Sequence, residues 1–236
     1  MDINQKTVDI LDECQRYFVR MLLRVPESTP KPSLLSETGL MAMKQRIWEK
    51  KLIFVNFLKS LSSESLAKQI FDEQVKRGWP GLCREAQKIC EELGLPNILK
   101  ESINKNKWDS MVKKATRNNH EEELKAEVES KKKLEAIKEE NMRRKEYFEA
   151  KSLEDTRLMF RIRTRMIDLK ANFKNKPTYK KDGWKCEGCG TEIETNCHVL
   201  ICKAYEQVRA GKDLKCDEDL VQFFKQVMKI RMKKKE

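Results

Sequence analysis

The chain has 236 residues, 37% of them charged and 39% apolar, with 50 Lys+Arg against 38 Asp+Glu and a formal net charge of +12. An apolar share below the usual ~45–50%, with 8 Gly and 6 Pro for turns, excludes a large β-sandwich and suits compact helical units. No run of about 18 apolar residues is present, which excludes a membrane-spanning helix.

The first hundred residues predict successive short helices. Val8, Leu11, Phe18, Leu22 and Val25 form the apolar stripe of the first, broadened by Ile10, Met21 and Leu23. Pro26 stops it, and the segment from Pro26 to Pro32 is expected as a stiff extended loop. The second helix is expected over 42–61, with Met43, Ile47, Trp48, Leu52, Val55, Phe57 and Leu58 as its apolar set. Ser62 or Ser63 caps a third helix whose stripe is Leu66, Ile70, Phe71 and Val75, and Gly78 ends it. Leu82, Ala86, Ile89, Cys90 and Leu93 carry a fourth, with Gly94 just past its end. Trp108, Met111, Val112 and Ala115 mark a shorter fifth. Cys14, Cys83 and Cys90 read as small buried or half-buried residues, and Trp48, Trp79 and Trp108 as packing residues.

The composition then changes. From Glu121 to Lys151 there are 10 Glu and 9 Lys/Arg in 31 residues, without Gly or Pro. Leu124, Val128, Leu134, Ile137 and Met142 follow no heptad, so a solvated bridging helix or a linker is expected. Leu158, Ile162, Met166, Leu169 and Phe173 restore a helical stripe over 153–173. Arg157, Arg161 and Arg165 form a column on another face, with Arg163 outside both rows. Like charges at that spacing repel by a few tenths of a kcal/mol per pair, which a polyanion or carboxylates from elsewhere would relieve. From Thr156 onward there are 20 Lys/Arg and 11 Asp/Glu, so +9 of the +12 lies in the last third. Such a field attracts phosphate backbones.

One constellation carries chemistry. Cys186 and Cys189 form C-x2-C, with Gly188 and Gly190 allowing the turn that aims two sulfurs at one point. His198 and Cys202 follow, four residues apart and thus on one helical face. Cys186, Cys189, His198 and Cys202 make a closed Cys3His set, the type that holds structural zinc with no open position for a catalytic water. Cys197 is an alternative third ligand, though its five-residue spacing from Cys202 fits a helical face less well. Redox use of the C-x2-C lacks a surrounding βαβ pattern. Cys216 is expected outside the set. Beyond it, Gly211 ends a short helix, and acidic Asp217 to Asp219 open a last one. That helix buries Leu220, Phe223, Phe224, Val227 and Ile230, and Arg231, Lys233, Lys234 and Lys235 load its end.

These features predict an all-α chain in three parts: a helical bundle over 1–118, a charged helix or linker over 119–152, and a basic zinc-binding domain over 153–236. The candidate nucleic-acid-binding residues are Arg157, Arg161, Arg163 and Arg165, with Trp184 and Tyr205 available for base stacking. RNA or DNA is the expected partner, with no membrane and no small-molecule substrate. Met1 to Lys6 lacks the apolar stretch of a secretory signal, so an intracellular setting, nuclear or cytoplasmic, is expected.

The segment Phe160 to Lys170, F-R-I-R-T-R-M-I-D-L-K, followed by W-K-C-E-G-C from Trp184 and H-V-L-I-C-K-A-Y from His198, resembles the terminal cysteine–histidine module of non-LTR retrotransposon reverse transcriptases. The stretch Val25 to Leu40, V-P-E-S-T-P-K-P-S-L-L-S-E-T-G-L, with R-I-W-E-K-K-L from Arg46, resembles the region just after that family's polymerase palm. The resemblance implies thumb- or connection-like helices and a terminal module that helps engage template RNA or target DNA. It also implies fingers, palm and endonuclease upstream, so a truncated or relic reading frame is expected. Polymerase chemistry needs a carboxylate cluster with an adjacent Asp pair, and no Asp-Asp dipeptide occurs here. No enzymatic activity is therefore expected; the alternative to nucleic-acid binding is a structural or protein-interaction zinc module.

Overall fold

A computed structural model describes residues 5–131, 134, 144–149 and 152–233. These are helices joined by turns, with no strand among the described residues, so the chain is all-α as expected. Ile137, Met142, Lys234 and Lys235, assigned above to helical rows or ends, lie outside the described residues.

The helices are α1 (Gln5–Leu23), α2 (Lys31–Thr38), α3 (Met43–Ser60), α4 (Leu66–Arg77), α5 (Leu82–Glu92), α6 (Lys105–Glu129), α7 (Leu153–Arg163), α8 (Pro177–Lys180), α9 (Asn196–Ile201), α10 (Glu206–Arg209) and α11 (Asp217–Lys233). Several ends follow directly from residue type. Gly94, at φ +62°, closes α5 as the N–H of Leu95 bonds to the carbonyl of Cys90 at 2.8 Å. Gly78, at φ +61°, closes α4 in the same way. Asn104 caps α6 by accepting the N–H of Asn106 at 3.0 Å.

Three clusters of buried side chains hold the helices. The first joins α3 to α6 through Leu52, Val55, Phe71, Ala86, Ile89, Cys90, Trp108 and Val112. Trp108 is fully buried, and its indole N–H donates to the carbonyl of Leu52 at 3.0 Å. Each such large apolar side chain contributes roughly 1.5–3 kcal/mol by burial. A small second cluster packs Leu35 and Ala42 on Leu124 and Val128 of α6. The third unites the two ends of the chain: Val19 and Leu23 of α1 and Leu34 of α2 pack with Phe160 of α7, Cys186, Cys202, Tyr205 and Phe223, Phe224 and Val227 of α11.

Several expectations are corrected. The buried side of α1 is Val8, Asp12, Val19 and Leu23, so Phe18 and Leu22 of the expected stripe face outward. Asp12 turns inward because its carboxylate accepts the N–H of Met43 at 2.9 Å at the start of α3. The proline-rich loop is shorter than expected, because Pro32 sits in the first turn of α2, where its missing N–H costs nothing. In α4, Leu66 and Ile70 are exposed and Phe71 is buried. Cys14 and Trp79 are exposed. The helix begun by Trp108 is not short; it runs 25 residues through residue 118 into the charged segment. The row over 153–173 is broken: α7 ends at Arg163, and Phe173 belongs to a separate 3-10 turn.

Candidate metal centre and basic cleft

The turn that holds the cysteines is built by its own backbone. The N–H of Cys186 bonds to the carbonyl of Glu192 at 2.7 Å, and that of Gly190 to the carbonyl of Cys186 at 2.8 Å. Gly190 adopts φ +71°, which favours glycine. Gly188 meets a different demand. A Cβ there would stand 2.9 Å from Cζ of Tyr205 and 3.0 Å from Cβ of Ala204. The other two donors come from α9, whose N-cap Thr195 accepts the N–H of His198 at 3.0 Å. Cys202 is the C-cap of α9, still bonded from its N–H to the carbonyl of His198 at 2.8 Å.

The four donor atoms of Cys186, Cys189, His198 and Cys202 lie within 4.8 Å of one another, a group that can hold a metal ion. Sγ of Cys186 is 4.0 Å from Sγ of Cys202, and Sγ of Cys189 is 3.4 Å from Nε2 of His198. Metal–sulfur bonds of about 2.3 Å and metal–nitrogen bonds of about 2.0–2.1 Å at tetrahedral angles require edges of about 3.8 and 3.6 Å. The donors fit. Cys197 and Cys216 are exposed and stand outside the group, so the histidine takes the place for which Cys197 was the alternative.

The thiols are also tuned by their surroundings. The hydroxyl of Thr191 donates to Sγ of Cys189 at 3.2 Å and, with backbone N–H groups, holds that thiol down at about 5. Burial pushes Cys186 up to about 11, against the N–H of Gly188 that donates to its sulfur at 3.3 Å. A bound cation offsets that burial penalty.

A buried ionic frame stands behind the turn. The carboxylate of Glu194, fully buried, accepts the N–H of Lys170 at 3.0 Å and of Glu187 at 3.2 Å, and pairs with Arg231 of α11 at 2.8 Å. Arg231, itself buried, also donates to the carbonyl of Asp168. Nothing in the spacing of Glu194 or Arg231 marks them; each reads as one more charge in a charged segment.

The candidate nucleic-acid residues divide. Tyr205 is 1% exposed, packed against the Gly188 turn, and cannot stack on a base. Arg163 points back into the protein, its guanidinium paired with the buried carboxylate of Glu37 at 2.7 Å. The hydroxyl of Tyr147 donates to that carboxylate at 2.7 Å. Arg165 stands beyond the end of α7 at φ +55°, so the expected column of three arginines is a pair. That pair, Arg157 and Arg161, donates to the carbonyls of Leu22 and Arg24 at the end of α1. Burial and the neighbouring cations Arg157 and Arg24 lower the pKa of Arg161. None of these three guanidiniums lies within 4 Å of a carboxylate among the described residues. Arg24 and Arg161 border a cleft of about 770 Å³ with Met166, Met228, Lys229 and Met232.

A second basic element lies just before the metal turn. Lys174, Lys180, Lys181 and Lys185 are exposed around half-buried Trp184, whose indole N–H donates to the carbonyl of Lys174 at 3.2 Å. The ammonium of Lys174 sits 5.7 Å from the Trp184 ring. Arg24 and these lysines were missed from the sequence because they fall in loops or, for Lys180, at the end of the one-turn α8, where no helical row gathers them. Compared with models of protein families, with curated proteins and with solved structures, the chain finds no match.

Proposed function

We propose that the chain is an accessory nucleic-acid-binding module with a structural zinc and no polymerase chemistry of its own, of the kind its resemblance to non-LTR retrotransposon reverse transcriptases implies. The observation that carries this is the group Arg24, Arg157 and Arg161, three neighbouring cations with no carboxylate within 4 Å among the described residues, of which Arg24 and Arg161 line an open cleft that Glu154 and Asp168 also border. Like charges held together in one place are stabilised by a polyanion, and a phosphate backbone supplies one. The Met-lined wall of the cleft and the face of Trp184 suit unstacked bases, which favours single strands. Zinc suits the donor set, since three thiolates and an imidazole in a closed tetrahedron are its usual structural site. Its chemistry there is structural: it ties the C-x2-C turn to α9. The four protein donors leave no position for a reacting water.

The test is binding of the purified, zinc-loaded chain to a single-stranded oligonucleotide from about 50 to 200 mM salt. Affinity should fall steeply with salt, and Arg24→Gln should make the logarithmic slope shallower by about 0.7, one single-strand phosphate contact. A flat salt response, or an unchanged slope in the variant, would count against this interface.

A further inference from the structure

Helix α1 presents two faces. One is buried in the third cluster through Val19 and Leu23. On the other, Ile10, Tyr17, Phe18, Met21 and Leu22 are each more than half exposed. Exposed Cys14 joins Ile10, Tyr17 and Met21 at steps of four, three and four residues. That is the a/d spacing of a helix pair, continued over about 18 Å of the helix. An apolar strip of that length on a soluble helix marks an interaction surface.

The charges beside the strip say what covers it. Asp9 and Glu13 flank its first half; half-buried Arg20, which donates to the carbonyl of Thr29, flanks its second, and Arg24 stands just past the helix end. Glu13 already pairs with Arg16 and lies 3.5 Å from Arg20 of its own helix, so opposite charges suit each other at this edge. We infer that α1 pairs with α1 of a second copy of this chain, antiparallel, about a two-fold axis near Cys14 and Tyr17. Antiparallel pairing sets Asp9 against Arg24 of the second copy and Glu13 against its Arg20. Parallel pairing sets acid against acid and base against base. The contact is isologous, so it closes at two copies. A single helix pair is small beside a standard interface, so the association is weak and concentration-dependent. The inference shares Arg24 with the nucleic-acid reading but is measured without nucleic acid, so the two fail separately.

The experiment is sedimentation equilibrium of the full zinc-loaded chain over a wide concentration range. A monomer–dimer equilibrium is expected. Tyr17→Glu with Met21→Glu, both on the exposed face, should weaken it about tenfold or more while the circular dichroism of the monomer stays unchanged. Asp9→Lys should weaken it too, and Arg24→Glu added to Asp9→Lys should restore it. In a Cys197→Ser, Cys216→Ser background, a short thiol cross-linker should join two chains through Cys14, and Cys14→Ser should abolish the product. A chain monomeric throughout overturns the inference, as does a dimer indifferent to the Tyr17 and Met21 changes. Failure of Asp9→Lys to weaken the dimer overturns the antiparallel arrangement.

Discussion

At the scale of single residues, the candidate metal centre depends on a side chain outside the donor group. Tyr205 is almost fully buried, and Gly188 leaves room for its ring. Adding one methyl at residue 188 forces either the ring or the C-x2-C turn to move. Overpacking of this kind costs about 1–3 kcal/mol. Gly188→Ala should therefore lower the melting temperature by a few degrees, at about 2–4 °C per kcal/mol for a chain of this size. It should also hasten metal loss to a chelator, followed with a chromogenic indicator. An unchanged melting curve and release rate would show that the ring has slack.

His120, on the inward face of α6, gives the pH response a sign. Burial pushes its pKa below the ordinary value, against a hydrogen bond to the Leu40 carbonyl and the nearby carboxylates of Glu123 and Glu121; Lys31 adds to the fall. The native state thus holds the imidazole neutral, while the unfolded chain takes up a proton as pH falls through about 6.5. Its contribution is present above that pH and is lost as pH falls toward the folded-state pKa. Urea unfolding of the wild type should show stability declining from about pH 7 to about pH 5, and His120→Gln should reduce that decline.

At the scale of elements, glycine-marked helix ends were legible and arginine-marked ones were not. Gly78 and Gly94 end α4 and α5 where expected. At the ends of α1 and α7 the left-handed position is taken by Arg24 at φ +50° and Arg165 at φ +55°. Both make the same closing bonds: the N–H of Val25 reaches the carbonyl of Arg20 at 3.1 Å, and that of Met166 reaches Arg161 at 2.7 Å. With no glycine to stop the pattern, the α7 row read on to Phe173. A non-glycine residue there costs roughly 1–2 kcal/mol, so Arg165→Gly, which leaves the Arg24, Arg157 and Arg161 group intact, should raise the melting temperature by a degree or two once the added flexibility of the unfolded chain is counted. Differential scanning calorimetry measures it.

The residues of the candidate metal group were legible for the opposite reason. Their geometry is local, two residues on a turn, one on a short helix and one at that helix's C-cap, so spacing alone carries it. The buried pairs Glu37–Arg163 and Glu194–Arg231 join residues 126 and 37 positions apart, and no local pattern encodes such a meeting. Arg163 was therefore assigned to solvent and polyanion when its partner is internal.

At the scale of the whole molecule, the third cluster makes the metal centre everyone's concern except that of α3 to α6. Cys186 and Cys202 are core residues beside Val19 and Leu23 of α1, whereas Trp108 and its neighbours form a separate cluster. Metal-site energy is folding energy for whatever packs on the site. Chelation should therefore strip hydrogen-exchange protection from α1, α7, α9 and α11 while leaving most of it around Trp108 in α6. Uniform loss across all helices would mean a single cooperative unit; loss confined to α9 would mean that α1 is held independently.

The meeting of α1 with α11 also sets a timetable for synthesis. Two hundred residues or more separate Leu23 from Phe223 and Val227 on the way out of the ribosome to Lys233. At about 5–20 residues per second, α1 waits roughly 10–40 s for the surface that covers its inward side. Helices α3 to α6 complete their own cluster well before that. Throughout the delay α1 has only α2 and α3 to pack on, and the part of its inward side that meets α7 and α11 stays uncovered on the nascent chain, so a trigger-type chaperone holding that first helix would have its task defined by the chain's topology rather than by any defect in its sequence.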